Sequence, residues 1–148
     1  MSLYKDISTD MIDAMKNKDK EKLSTIRLLK SAIDLNKINS KNDEVSDDTV
    51  IDIVSKQIKT HRESIEQFLK GGREDLANNL EKEIKLLEKY LPEQLTEEEI
   101  EKELNKIYSK IEPVKSNIGQ IMKEAKETLK GKADFKKVSE LIQKKLNS

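Results

Sequence analysis

Apolar residues recur along this chain every three or four positions, in stretches separated by short polar breaks, which is the pattern of amphipathic helices. Leu3, Ile7, Met11 and Met15, with Ala14 beside them, form the first stripe and predict a helix from about Ser2 to Lys18. After the break Asn17-Lys18-Asp19, Asp19 is placed to cap a second helix built on Leu23, Ile26, Leu29 and Ile33, with Leu28 and Ala32 widening its face. This helix fades in Asn36 to Ser40, and Ser40 to Glu44 reads as a polar loop. Ser46, followed by Asp47 and Asp48, caps a third helix carrying Val50, Ile51, Val54, Ile58, Ile65, Phe68 and Leu69. Gly71-Gly72 ends it, because glycine enters the left-handed conformation of a helix C-terminus at little cost. A fourth helix starts near Arg73-Glu74-Asp75, carries Leu76, Leu80, Ile84, Leu87 and Leu91, and is stopped by Pro92.

Beyond a short connector, Thr96-Glu97-Glu98-Glu99 has the form of a capping box, in which the Thr96 hydroxyl and the Glu99 carboxylate bond each other's backbone amides. A fifth helix follows on Ile100, Leu104, Ile107 and Ile111, up to the break at Pro113. A sixth, starting at Ser116 or Asn117, uses Ile118, Ile121, Met122, Ala125 and Leu129 and ends at Gly131. Asp134 caps a seventh on Phe135, Val138, Leu141, Ile142 and Leu146. The expected fold is all-α: an N-terminal four-helix unit organised around the long hairpin within Lys56 to Leu95, then a small C-terminal three-helix unit, with residues 1–92 and 93–148 as the two domains.

Composition agrees with helices. Charged residues make up 39% of the 148 and aromatics 3%, with only 4 Gly and 2 Pro. There is no Cys, which removes disulfides, thiolate metal sites and cysteine nucleophiles. No apolar run approaches the roughly 18–20 residues of a membrane span, and the N-terminus MSLYKDISTDMIDAM has no apolar signal region. A soluble cytoplasmic protein with no membrane role is the expectation.

Chemistry-bearing motifs are scarce. His61 is the only histidine and has no second ligand at metal-binding spacing, so no metal site is expected. Acidic pairs such as Glu97/Glu101 alternate with Lys, as solvated helix faces do. Phosphate-loop, dinucleotide and nucleophile-elbow patterns are absent, so neither a catalytic residue nor a cofactor is assigned. Arg62 and Arg73 flank the glycine hinge and form a candidate polar site, with ion pairs to Glu63, Glu66 or Glu74 as the plain alternative.

Net charge is zero, so attraction to a polyanion requires a local patch. From Glu81 to Glu103 nine Glu face four Lys, whereas from Asn105 onward eleven Lys face five acids. Lys123, Lys126 and Lys130 share one side of the sixth helix, and Lys132, Lys136 and Lys137 extend that side around the Gly131 turn. These six are the candidate nucleic-acid-binding residues. With no Arg and little aromatic interleaving in this half, they suit backbone and shape recognition rather than base reading.

Several stretches together carry a family resemblance: Ala14-Met15-Lys16 with Leu23 to Leu29 (LSTIRLL), Lys59 to Arg73 (KTHRESIEQFLKGGR), Tyr90 to Leu95 (YLPEQL), Ile118 to Met122 (IGQIM) and Lys130 to Asp134 (KGKAD). Over essentially its full length the chain resembles the YqeY-like family, which is related to the C-terminal tail domain of the GatB and GatE subunits of tRNA-dependent amidotransferases. The resemblance implies a two-part helical fold and a non-catalytic module that binds tRNA, or associates with an amidotransferase or an aminoacyl-tRNA synthetase. The competing expectation is a helical protein–protein adaptor with no nucleic-acid role, using the third and fourth helices or the acidic Glu97–Glu103 face. An enzyme built around Arg62, Arg73 and nearby acids is a third.

Overall fold

The computed structural model describes residues 2–41 and 44–148. All regular structure among them is helical: α1 (Leu3–Lys16), α2 (Lys20–Ser40), α3 (Asp47–Lys70), α4 (Glu74–Glu88), α5 (Glu97–Lys110), a 3₁₀ turn (Lys115–Asn117), α6 (Ile118–Thr128) and α7 (Phe135–Leu146). The all-helical expectation is met. Two compact units divide the chain, Met1–Leu91 and Pro92–Ser148. Part of the predicted Ser40–Glu44 loop falls on residues 42 and 43, outside the described residues.

Helix starts follow from their caps. The side chains of Ser2, Asp19, Ser46, Thr96 and Asp134 each accept a hydrogen bond from an amide of the first turn, and Thr96 with Glu99 completes the capping box. α3 closes in a Schellman turn: Gly72 takes φ +75°, its amide donates to the Leu69 carbonyl, and the Arg73 amide donates to that of Phe68. α1 closes in the same way on Lys18, with φ +56°, a conformation that strains a residue bearing a Cβ. Lys18→Gly is therefore expected to raise stability by roughly 0.5–1 kcal/mol, read as an upward shift of the denaturation midpoint.

Some boundaries differ from the sequence expectation. α4 ends at Glu88, before Pro92, because Tyr90 and Leu91 turn back on the Leu87 and Glu88 carbonyls in a tighter 3₁₀-type bend. α6 starts at Ile118, and Asn117 does not cap it; its side-chain amide donates instead to the Glu112 carbonyl. α2 stays helical through Ser40 and closes on left-handed Lys41.

The core of the first unit is built from Ile7, Ile26, Leu29, Ile33, Val50, Val54, Ile58, Ala77, Ile84 and Leu87. Met15 and Leu28, assigned to packed stripes from their spacing, are exposed; Ala14 takes the buried place on α1. Tyr90 is buried beside this core, and its hydroxyl donates to Asp10 Oδ2 at 2.6 Å, joining the end of α4 to α1. Burial works against the charge of Asp10, but the Tyr90 bond and the Lys89 ammonium at 3.1 Å outweigh it and hold the carboxyl below its ordinary value of 3.8. A depressed folded value supplies stability above the unfolded value and loses it as pH falls through the folded one. The first unit is thus expected to hold its stability near neutrality and lose part of it below about pH 4. Tyr90→Phe is expected to cost about 1.5–3 kcal/mol at neutral pH and to flatten this acid limb, as read by melts across pH.

Candidate functional site

The second unit packs α5, α6 and α7 around Ile100, Leu104, Ile107, Ile121, Ala125, Leu129, Val138, Ile142 and Leu146. Its connector is tied to the α6–α7 turn. The Leu95 amide donates to the Lys132 carbonyl at 2.9 Å, and the Gln94 side-chain amide donates to the Gly131 carbonyl at 2.6 Å. Gly131 has φ +72°, so this turn suits a residue without a Cβ. The backbone that presents Lys132 is thereby held by two bonds from the connector.

Burying Ile121, Ala125 and Leu129 turns the other side of α6 outward. Lys123 and Lys126 lie exposed there, about 60° of arc apart at 100° per residue, whereas Lys130, expected on the same side of the helix, is exposed in the turn after it because α6 ends at Thr128. Lys132 in the turn and Lys136 and Lys137 in the first turn of α7 are exposed as well. Lys137 pairs with Glu97 Oε2 at 3.3 Å, both side chains being more than half exposed. Lys130 and Lys136 also have partners. No ion pair to Lys123, Lys126 or Lys132 forms among the described residues. Phe135, assigned to the packed stripe of the last helix, is instead 40% exposed, because the first residue of α7 lies before the helix closes onto its core at Val138. An accessible aromatic ring between Lys132 and Lys136 in sequence was missed, since the spacing alone made Phe135 core.

The two arginines at the hinge end in different ion pairs. Arg62 Nη2 reaches Glu88 Oε1 at 3.8 Å, joining α3 to α4. Arg73 makes two 3.2 Å bonds to Asp75 at the start of α4. Arg62 lies eight residues before the end of α3 at Lys70, about 12 Å by helical rise, whereas Arg73 follows the glycine turn at the start of α4, so the backbone spaces them apart.

His61 Nε2 lies 3.1 Å from Glu83 Oε2, and Thr25 Oγ1 lies 3.5 Å from Glu83 Oε1 and 3.1 Å from the Glu21 carbonyl. This links α2, α3 and α4 at the edge of the core, where Thr25 is buried. The same unit holds a polar cleft of about 360 Å³ lined by Asn36, Ser40, Ser46, Thr49 and Asp52 among others. Among the described residues no three His, Cys, Asp or Glu side chains are grouped to hold a metal, and no helix is long and apolar enough to cross a membrane.

A two-unit helical protein whose smaller unit carries a row of exposed lysines is the class of molecule that these features define. The chain belongs to the Yqey-like protein family, whose model matches residues 4–146. It is similar to fungal proteins named "Altered inheritance of mitochondria protein 41, mitochondrial": 39% identical over 57% of this chain and 46% of the protein from Vanderwaltozyma polyspora. For the one from Lachancea thermotolerans it is 32% over 89% of this chain and 66% of that protein, and for the one from Pyrenophora tritici-repentis 30% over 93% and 77%. The match thus spans about half the length of the first of these relatives. Their names overturn the expectation of a cytoplasmic protein, because they place these relatives in mitochondria. Lack of an apolar signal region or membrane span does not separate one aqueous compartment from another, and mitochondrial leaders are amphipathic rather than apolar.

Proposed function

We propose that this chain is a non-catalytic tRNA-binding module, acting alone or as an associate of a tRNA-dependent amidotransferase or an aminoacyl-tRNA synthetase. The observation that supports this reading is the exposed lysine row of α6 and the α6–α7 turn, of which Lys123, Lys126 and Lys132 have no competing ion pair among the described residues. Lysine offers a phosphate a compact charge with three rotatable donors, so a row of them follows a sugar–phosphate backbone without selecting a base. Phe135 adds a ring on which an unpaired base could stack, as in tRNA loops.

Filter retention of a labelled tRNA pool by the whole chain tests this reading. Retention at low salt that unlabelled tRNA competes away is expected. A chain that retains no tRNA under those conditions is not such a module.

A further inference from the structure

α2 is apolar on two sides. Ile26, Leu29 and Ile33 point into the core, whereas Leu28, Leu35 and Ile38 are 61%, 58% and 72% exposed. With Ser24 and Ser31, which are also exposed, these three form the series 24, 28, 31, 35, 38. Its steps of four, three, four and three residues are the heptad spacing of a seam that packs against another helix. At 100° per residue the five positions fall within about 80° of arc, on the side of α2 away from its buried stripe. The described residues of α1, α3 and α4 leave this seam uncovered.

We infer that the seam is an interface between two copies of this chain, joined through antiparallel α2 helices about a two-fold axis. The residues of the seam and its flanks favour that occupant. In the antiparallel register, Leu28 of one copy faces Ser31 of the other, and Leu35 faces Ser24. The layers formed by residues 24, 28, 31 and 35 then each set a large side chain against a small one, and the helices approach closely there, while Ile38 lies at the end of the seam opposite Glu21. The flanking positions agree. Arg27 is exposed and makes no ion pair among the described residues; in this register it lies opposite Asp34 of the second copy, twice by symmetry. The Asp34 side chain is 40% exposed, and its oxygens, which accept from Tyr4 and Lys30, retain room for a further donor. The other flank, Thr25, Ala32 and Asn39, is uncharged and opposes no second copy. A parallel pair would instead stack Ser24 and Ser31 on themselves and leave Arg27 opposite Ala32. One helix from each copy buries on the order of 1,000 Å², the low end for a specific interface, so the dimer is weak and concentration-dependent. This inference is independent of RNA binding.

Sedimentation equilibrium of the whole chain over a concentration series tests it, with circular dichroism to verify folding. A monomer–dimer equilibrium with a dissociation constant on the order of 1–100 µM is expected. Leu28→Glu with Leu35→Glu should weaken it at least about 10-fold while leaving the helix signal intact, because both side chains are already exposed. Arg27→Glu should weaken it too, by setting like charges against Asp34, and it touches no packing within the chain. Since the chain has no Cys, an equimolar mixture of Ser24→Cys and Leu35→Cys chains reports the register under oxidation. Antiparallel pairing links unlike chains; positions 24 of the two copies would lie about 16 Å apart. A chain that stays monomeric throughout overturns the inference, as does cross-linking of Ser24→Cys chains to each other. So does a dimer indifferent to all these substitutions, or a monomer whose Leu28 and Leu35 instead drive binding to lipid vesicles.

Discussion

Ile142→Ala is expected to unfold the helices of the second unit under conditions where α1 to α4 remain folded. Ile142 is fully buried on α7, among Ile121 and Val138, which are also fully buried. Removing its outer carbons takes away their transfer free energy and leaves a cavity, a loss of about 2–5 kcal/mol for such a site. A unit as small as Pro92–Ser148 has little to lose. A single core in a chain segment below about 70–80 residues rarely supplies more than about 3–5 kcal/mol. The buried clusters of the two units share no residue, so the cavity does not reach the first core. Amide exchange should show α5 to α7 losing protection and α1 to α4 keeping it. Equal loss in both units, or protection retained in α5 to α7, would show that the second core is not the separate and marginal one described.

The second large effect is on RNA. Reversing Lys123, Lys126 and Lys132 to Glu together is expected to weaken tRNA binding by about 100-fold or more at low salt. Exposed charge contacts contribute up to about 1 kcal/mol each, and three of them convert to about two decades in affinity. Reversal adds repulsion to that loss. All three side chains are exposed, so the helix signal and melting midpoint should stay within the small range of surface substitutions. Lys137→Glu serves as the comparison, since Lys137 already pairs with Glu97 and should contribute less to binding. Unchanged affinity in the triple variant would move any RNA site away from α6.

These expectations rest unequally on what could be read without coordinates. Helix starts were legible because caps are local: Asp19, Ser46, Thr96 and Asp134 each lie within three residues of the amide they bond. The close of α3 was legible for the same reason, in Gly71-Gly72. Which face of a helix packs was less so. On α2 the spacing admits two apolar faces, and only the positions of α3 and α4 decide that Leu29 is buried and Leu28 is not. Phe135 has the right spacing for the core and lies one turn too early to reach it. The lysine row was legible because neighbours on a helix face are neighbours in sequence. The charges that meet across elements were not: Lys137 meets Glu97 from forty residues away, and Arg62 reaches Glu88 across the hairpin.

The salt dependence of tRNA binding by the unaltered chain tests the central claim most directly. A row of lysines on phosphates releases condensed counterions, so log K should fall linearly with log salt between about 50 and 200 mM, with a slope of magnitude about 3 or more. The triple reversal should reduce that magnitude by about 1 for each lysine removed. Tight binding with a slope near zero, or no binding at about 50 mM salt, would contradict a lysine-borne RNA interface.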